Sequence, residues 1–185
     1  MTSITARATI VAPTASSSPP RLTLAPVRAG RAVLDGAWWP RSLDPGTELR
    51  GLVRALSVRY GPIRHLMLNS VTWDTRPRRL AIGDGAVVRV GWFASVDPAV
   101  VIATTHAGDQ IDLLVVPPRT APAAAAVAMA AAADPADLRR ASAILAAMPA
   151  APVPGDGADE QPVWDDEGGH TADRPDRATH RSAES

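Results

Sequence analysis

Five short segments from Ile63 onward place apolar residues with a period of two, which is the pattern of β-strands with one buried face. They cover residues 63–68, 79–82, 86–93, 100–105 and 110–116. The turns at 83–85, 97–98 and 107–109 are too short to contain a crossover helix. We therefore expect neighbouring strands to pair antiparallel, and a parallel sheet is disfavoured.

Two further strands and a helix are expected before this region. Residues 22–24 alternate apolar and polar side chains, and a second strand is expected from Ala32 towards Trp39. Asp44-Pro45 supplies an N-cap and a first-turn proline for a helix that ends at Gly61-Pro62. The apolar stripe of this helix consists of Leu49, Leu52, Val53, Leu56 and Tyr60.

Two helical patterns follow the last strand. The first is an alanine-rich run over 121–133, and the second is a stripe after Asp134-Pro135 made of Leu138, Ala141, Leu145 and Met148. The sequence thus predicts an α+β fold with a single antiparallel sheet of about seven short strands. One helix is expected after the second strand and Ala-rich helices after the last strand.

Charge and composition divide the chain into a body and two tails. We expect a single α+β domain at 21–149 between disordered tails at 1–20 and 150–185, because both tails lack periodic apolar residues. Residues 1–150 hold 16 Arg and 10 acidic residues, net +6, whereas 151–185 hold 3 Arg and 9 acidic residues, net −6. The acidic tail is expected either to shield the basic body or to act only in solubility. No secretory signal is apparent, so a cytoplasmic location is expected.

The residue types that the chain lacks exclude several chemistries. Without Cys or Lys there is no thiolate nucleophile, Cys-ligated metal, P-loop lysine or Schiff base. The four histidines are too widely spaced to predict a metal site, and neither a G-x-S-x-G elbow nor a G-x-G-x-x-G turn is present. We therefore predict no metal, no cofactor and no catalytic residue, which disfavours an enzyme without excluding one.

Three sequence strings carry a resemblance to a known family. They are Asp35-Gly-Ala-Trp-Trp-Pro-Arg-Ser42, then Trp73-Asp74 with Pro77-Arg-Arg-Leu80, and Leu113-Leu-Val-Val-Pro-Pro118. From about Leu22 to Ala133 the chain resembles an actinobacterial domain of unknown function, DUF5994. The resemblance implies no activity and no catalytic residue. Met67-Leu68 stands where an aromatic residue is associated with the family, which weakens a site that needs a ring there.

The adjacent tryptophans Trp38 and Trp39 predict a ligand surface. Neighbouring residues on a strand point to opposite faces, so only one of the two rings can enter the core. The other either packs beneath a loop or tail, or forms an aromatic wall for a ligand or partner. The candidate ligand-binding residues are Trp38, Trp39, Arg41 and Trp73.

A second candidate site is a patch of arginines. If residues 83–85 form a three-residue hairpin loop, Ile82 pairs with Ala86, Leu80 with Val88, and Arg79 with Arg89. Like charges that face each other destabilise a strand pair, so either an acid such as Asp74 neutralises them or a bound anion does. The candidate anion-binding residues are Arg76, Arg78, Arg79 and Arg89.

These two surfaces lead to the functional hypotheses. The first is a non-enzymatic binding module that holds a small ligand or a protein partner at the Trp/Arg surface. The alternatives are anion or nucleic-acid binding through the arginine patch, although no nucleic-acid-binding motif is present, and a small enzyme with an unrecognised site. No membrane association is expected.

Overall fold

The computed structural model describes residues 18–27, 32–83 and 85–148 of the 185-residue chain. The tail predicted at 150–185, and the tail predicted at 1–20 except for its last three residues, lie outside the described residues.

Seven strands and three helices make up the described residues, which confirms the α+β class. The strands are Arg21–Leu24 (β1), Gly36–Trp39 (β2), Ile63–Asn69 (β3), Arg79–Gly83 (β4), Ala86–Phe93 (β5), Val100–Thr105 (β6) and Gln110–Val115 (β7). The helices are Pro45–Tyr60 (α1), Pro122–Ala132 (α2) and Ala141–Ala146 (α3).

The strands form one mixed sheet in the order β1-β2-β7-β6-β3-β5-β4. The hairpins β4–β5 and β6–β7 are antiparallel, but β2 pairs parallel with β7 and β3 pairs parallel with β5. The prediction of a purely antiparallel sheet is therefore wrong. The turn at 97–98 reverses the chain without pairing β5 to β6, because β3 lies between them. β5 and β6 are therefore two strand spacings apart, roughly 10 Å, and residues 94–99 are long enough to span that distance.

Helix α1 begins and ends as the sequence predicts. The Asp44 carboxylate caps it by accepting hydrogen bonds from the Gly46 backbone N–H at 3.0 Å and the Thr47 hydroxyl at 2.6 Å. Gly61 ends it with a φ of 85°, a conformation that favours glycine. The stripe is buried against the sheet at Leu49, Leu52, Val53 and Leu56.

The C-terminal helices differ in part from the prediction. The alanine-rich run forms α2, but the second helix begins at Ala141 and not after Asp134-Pro135. The Asp134 carboxylate accepts from the Ala136 N–H, and the Asp137 carboxylate accepts from the Arg139 N–H. These local bonds compete with helical hydrogen bonds, and Leu138 is 59% exposed. None of the described helices combines the length and the apolar character needed to cross a membrane.

The helices cover the two faces of the sheet unequally. Helix α1 packs on one face over the main core, whereas α2 and α3 pack on the other face, chiefly beside β1, β2 and β7. Within the described residues, the second face of β3, β4 and β5 therefore has no helix packed over it. We call this surface, with the adjacent part of β6, the open face; its residues are His65, Met67, Arg79, Ala81, Val87, Arg89, Gly91, Phe93, Ile102 and Thr104.

Candidate functional site

Trp38 and Trp73 lie in the main core. Their rings stack with centroids 5.6 Å and planes 11° apart, and the two residues are 0% and 4% exposed. Trp39 instead packs against the hydrophobic cluster on the opposite face, which confirms that only one of the adjacent rings enters the main core. Because Trp38 and Trp73 are buried, neither can contribute to the ligand-facing surface predicted for them.

Trp39 and Arg41 both make contacts within the protein. The Trp39 indole N–H donates to the Pro117 carbonyl at 3.2 Å, and the Arg21 guanidinium lies 3.5 Å from the centroid of the Trp39 ring. Arg41 donates to the Pro19 carbonyl at 3.0 Å. The hydrogen-bonding group of Trp39 and a face of its ring are thus engaged within the protein, and Arg41 anchors the segment before β1.

The β4–β5 hairpin places Arg79 directly opposite Arg89, as the sequence predicts. Leu80 also pairs with Val88, but Ala86 pairs with Gly83 and not with Ile82, because the register shifts after Ala81. The predicted Ile82–Ala86 pair is therefore wrong. The arginine pair depends on the shift, because the Gly83–Ala86 register continued without it would place Arg79 opposite Val90.

Arg79 and Arg89 are close neighbours on the open face. The Val90 N–H donates to the Arg78 carbonyl at 3.0 Å, so residues 78 and 90 oppose each other as a hydrogen-bonded pair. Hydrogen-bonded and non-hydrogen-bonded pairs alternate along an antiparallel ladder, which makes Arg79 and Arg89 a non-hydrogen-bonded pair, the closer kind. Their Cβ atoms should lie about 4.5–5.5 Å apart.

Neither arginine of this pair has an acidic partner within the described residues. Both side chains are exposed, and no ion pair joins either of them to a described Asp or Glu. Asp74, the predicted neutraliser, is exposed and uses its backbone N–H to reach the Leu43 carbonyl at 3.1 Å. No described acidic group neutralises the positive charge of the pair, so only solvent ions or a ligand can do so.

A hollow of about 240 Å³ lies against this pair. Arg79 and Arg89 line it together with Ala81 and Val87, and these last two also face each other across the hairpin. We call it the arginine hollow. Ala81 is too small to fill the space, and Val87 is 54% exposed, so the hollow combines two guanidinium groups with an apolar floor.

A polar row continues from the arginine pair across the sheet. Arg89 pairs with His65 on β3, His65 with Thr104 on β6, and Thr104 with Gln110 on β7. Partial burial, followed by the charges of Arg64 and Arg89, lowers the pKa of His65 below its ordinary value. His65 is therefore neutral at pH 7 and becomes a further positive group of the open face at lower pH.

Phe93 adds an aromatic ring to the open face. A Cβ built on Gly91 would lie 2.6 Å from Cε2 of Phe93 and 3.3 Å from Nε2 of His65, so both side chains approach the bare Gly91 backbone. Such covering of a strand glycine by an aromatic ring stabilises sheets. Phe93 remains 46% exposed, which leaves part of its ring accessible to a ligand.

The other two arginines of the predicted patch do not line the hollow. Arg76 donates through Nε to the Ser70 carbonyl and thereby holds the loop between β3 and β4. Arg78 contributes its carbonyl to the strand pair with Val90, and its side chain is exposed. Of the four predicted anion-binding residues, the fold brings only Arg79 and Arg89 together at the hollow.

Comparison with known proteins gives a family but no activity. The model of a family of unknown function, DUF5994, matches residues 21–132. The chain belongs to that family. No curated protein and no solved structure shows significant similarity to it. The DUF5994 segment contains all seven strands, α1 and α2, so it includes the whole open face, while α3 lies beyond it.

A larger and mainly apolar cavity of about 480 Å³ lies on another part of this DUF5994 chain. Its lining combines Ala99, Val115 and Leu145 with a few polar groups, among them Asp97 and Ser142. Because Ser142 and Leu145 belong to α3, part of this cavity is formed outside the matched segment.

In the described chain, no group of three or more His, Asp or Glu side chains could hold a metal ion.

Proposed function

We propose that this DUF5994 chain is a binding module for an anionic ligand, held in the arginine hollow by Arg79 and Arg89. The observation that carries the proposal is the pairing of two exposed guanidinium groups on adjacent strands, without an acidic partner among the described residues. Arginine is always positive in proteins and presents donors in a planar fork that matches phosphate and carboxylate oxygens. The pair is therefore suited to hold an anionic group.

Repulsion between Arg79 and Arg89 destabilises the ligand-free protein, and a bound anion would remove that repulsion. Directly opposed like charges destabilise a strand pair, and cross-strand pairs differ in free energy by roughly 0.2–1 kcal/mol. An anion between the two guanidinium groups replaces that repulsion with charge-assisted hydrogen bonds. The hollow therefore favours a ligand with at least one phosphate, sulfate or carboxylate group.

The test is calorimetric titration of the full chain with inorganic pyrophosphate, together with the unfolding temperature. At a concentration of 100 times Kd, pyrophosphate should raise the free energy of unfolding by about 2.7 kcal/mol. Arg79→Gln and Arg89→Gln should each abolish this effect, and each should stabilise the free protein by roughly 0.2–1 kcal/mol.

Arg119→Gln is the matched control. It removes the same charge from an exposed arginine in the loop between β7 and α2, outside the hollow. This variant should bind pyrophosphate like the parent. Absence of binding by the parent, or equal weakening by all three substitutions, would contradict the proposal.

A second candidate function is suggested by the apolar cavity beside α3. A volume of about 480 Å³, lined mainly by apolar groups with a few polar ones, is typical of sites for small apolar ligands. The neutral dye Nile red should therefore gain fluorescence with the parent, and Ser142→Trp, which fills the cavity, should reduce the gain. An unchanged signal in that variant would exclude the cavity as the dye site.

A further inference from the structure

The open face extends well beyond the arginine hollow. The polar row from Arg79 through Arg89, His65 and Thr104 to Gln110 crosses five adjacent strands. Four strand spacings amount to about 19 Å. A small anion would occupy only one end of this row, whereas an extended ligand could continue past His65 towards Thr104. At the far end the Gln110 amide donates to the Asp112 carboxylate, so the positive part of the row is the part near Arg79 and Arg89.

Phe93 offers a second kind of contact beside the positive charges. It lies four residues after Arg89 on β5, and its ring leans back over Gly91 towards the His65 imidazole. The ring is thus supported by the sheet on one side and partly open on the other. Planar bases stack on such rings without regard to sequence, since every base has a π-face.

The shape of the surface distinguishes a polymer from a free nucleotide. Pockets for small ligands usually measure about 300–1,000 Å³, whereas the arginine hollow measures about 240 Å³ and the row beyond it lies on a half-buried to exposed sheet surface. An extended strand gains affinity by adding phosphate and stacking contacts along its length. A duplex keeps its bases stacked inside, so it can use the arginines but not Phe93.

We infer that the open face binds single-stranded nucleic acid, with backbone phosphates against Arg79 and Arg89 and a base stacked on Phe93. The inference rests on the proposed function, because it uses the same arginine pair, and it identifies the class of anionic ligand. Positive charge, an accessible ring and an extended sheet surface are the combination that single strands require.

The experiment measures fluorescence anisotropy of a labelled 12-nucleotide oligo(dT) with the full chain, and of a 12-base-pair duplex for comparison. The parent should bind the single strand more tightly than the duplex. Phe93→Leu removes the ring but keeps an apolar side chain, and it should weaken single-strand binding roughly five- to a hundredfold. Phe93→Tyr keeps a ring and should restore affinity, and circular dichroism verifies that each variant is folded.

The salt dependence separates the two kinds of contact. Arg89→Gln should reduce the slope of log K against log salt concentration by about 0.7, because one phosphate contact is lost. Phe93→Leu should leave the slope unchanged, and Arg119→Gln should leave both affinity and slope unchanged.

Failure of the inference can be distinguished from failure of the proposed function. If Phe93→Leu binds the single strand as the parent does, or if the duplex binds equally well, the inference is wrong while pyrophosphate binding still supports an anion site. If poly-L-glutamate binds as tightly as oligo(dT), an acidic protein segment is the better ligand and the inference is again overturned. If neither oligo(dT) nor pyrophosphate binds, both proposals are wrong.

Discussion

Replacing Trp38 with Ala should destabilise the protein far more than replacing Trp39 with Ala. Trp38 is fully buried and its ring stacks on Trp73. Its truncation removes a large apolar side chain and leaves a cavity, which for core tryptophans costs about 3–5 kcal/mol. The stack with Trp73 accounts for about 0.5–1.5 kcal/mol of interaction beyond burial.

Replacing Trp39 with Ala should lower the free energy of unfolding less, because its side chain is only partly buried. Truncation removes its hydrogen bond to the Pro117 carbonyl, a contribution of about 0.5–1.5 kcal/mol. It also removes the cation–π contact with Arg21, a contribution of about 0.5–1 kcal/mol. These two contacts account for about 1–2.5 kcal/mol, and the apolar area that Trp39 partly buries on the second cluster adds to the loss, which should still remain below that for fully buried Trp38.

Urea unfolding followed by far-UV circular dichroism measures both losses. A double-mutant cycle with Trp38→Ala and Trp73→Ala should give a coupling of about 0.5–1.5 kcal/mol. If Trp38→Ala does not fold, Trp38→Phe and Trp39→Phe should show the same order of losses. Equal losses at Trp38 and Trp39 would refute the difference in burial between the two rings, and no coupling between Trp38 and Trp73 would refute their stacking in the main core.

Three further predictions concern the open face and the charge of the chain. Gly91→Ala should displace the Phe93 ring, because its Cβ would lie 2.6 Å from Cε2 of this partly exposed ring; unchanged NMR shifts of the Phe93 ring protons would contradict the packing. Sulfate should bind more tightly as the pH falls through the lowered pKa of His65, since the imidazole becomes positive beside Arg64 and Arg89, and His65→Asn should remove this dependence in calorimetric titrations between pH 5 and 7. Without sulfate, the unfolded state takes up this proton more readily, so His65 lowers the stability of the free protein as the pH falls below about 6.5. Deleting residues 151–185 changes the net charge from 0 to +6 and should strengthen oligo(dT) binding at low salt, whereas equal binding would mean that the tail has no electrostatic effect.

Local sequence patterns predict the elements of this fold well. The cap at Asp44, the proline at 45 and the stop at Gly61 give the correct ends of α1, because capping depends on neighbouring residues. The predicted pairing of Arg79 with Arg89 is confirmed, but it results from the turn at 83–85 together with a one-residue register shift after Ala81. The error at Ile82 arises because a local register shift leaves no distinct signal in the alternation of side chains.

Contacts between distant segments could not be predicted in this way. Nothing in the period of β3 or β5 indicates that β3 inserts between β5 and β6, so His65 was not expected beside Arg89. The same limit applies to Trp73, whose burial depends on stacking with Trp38, 35 positions earlier. Gly91, inside a strand whose other residues except Arg89 are apolar, is a local signal that could have drawn attention to the Phe93 ring.

Titration of the ¹⁵N-labelled full chain with sulfate locates the anion site, because backbone amide shifts report where the anion lies. An anion held between Arg79 and Arg89 should give the largest shifts at His65, Arg79 and Arg89, and Arg89→Gln should abolish them while Arg119→Gln should not. Shifts centred on Trp39 and Arg41, or no shifts at millimolar sulfate, would contradict an anion site on the open face.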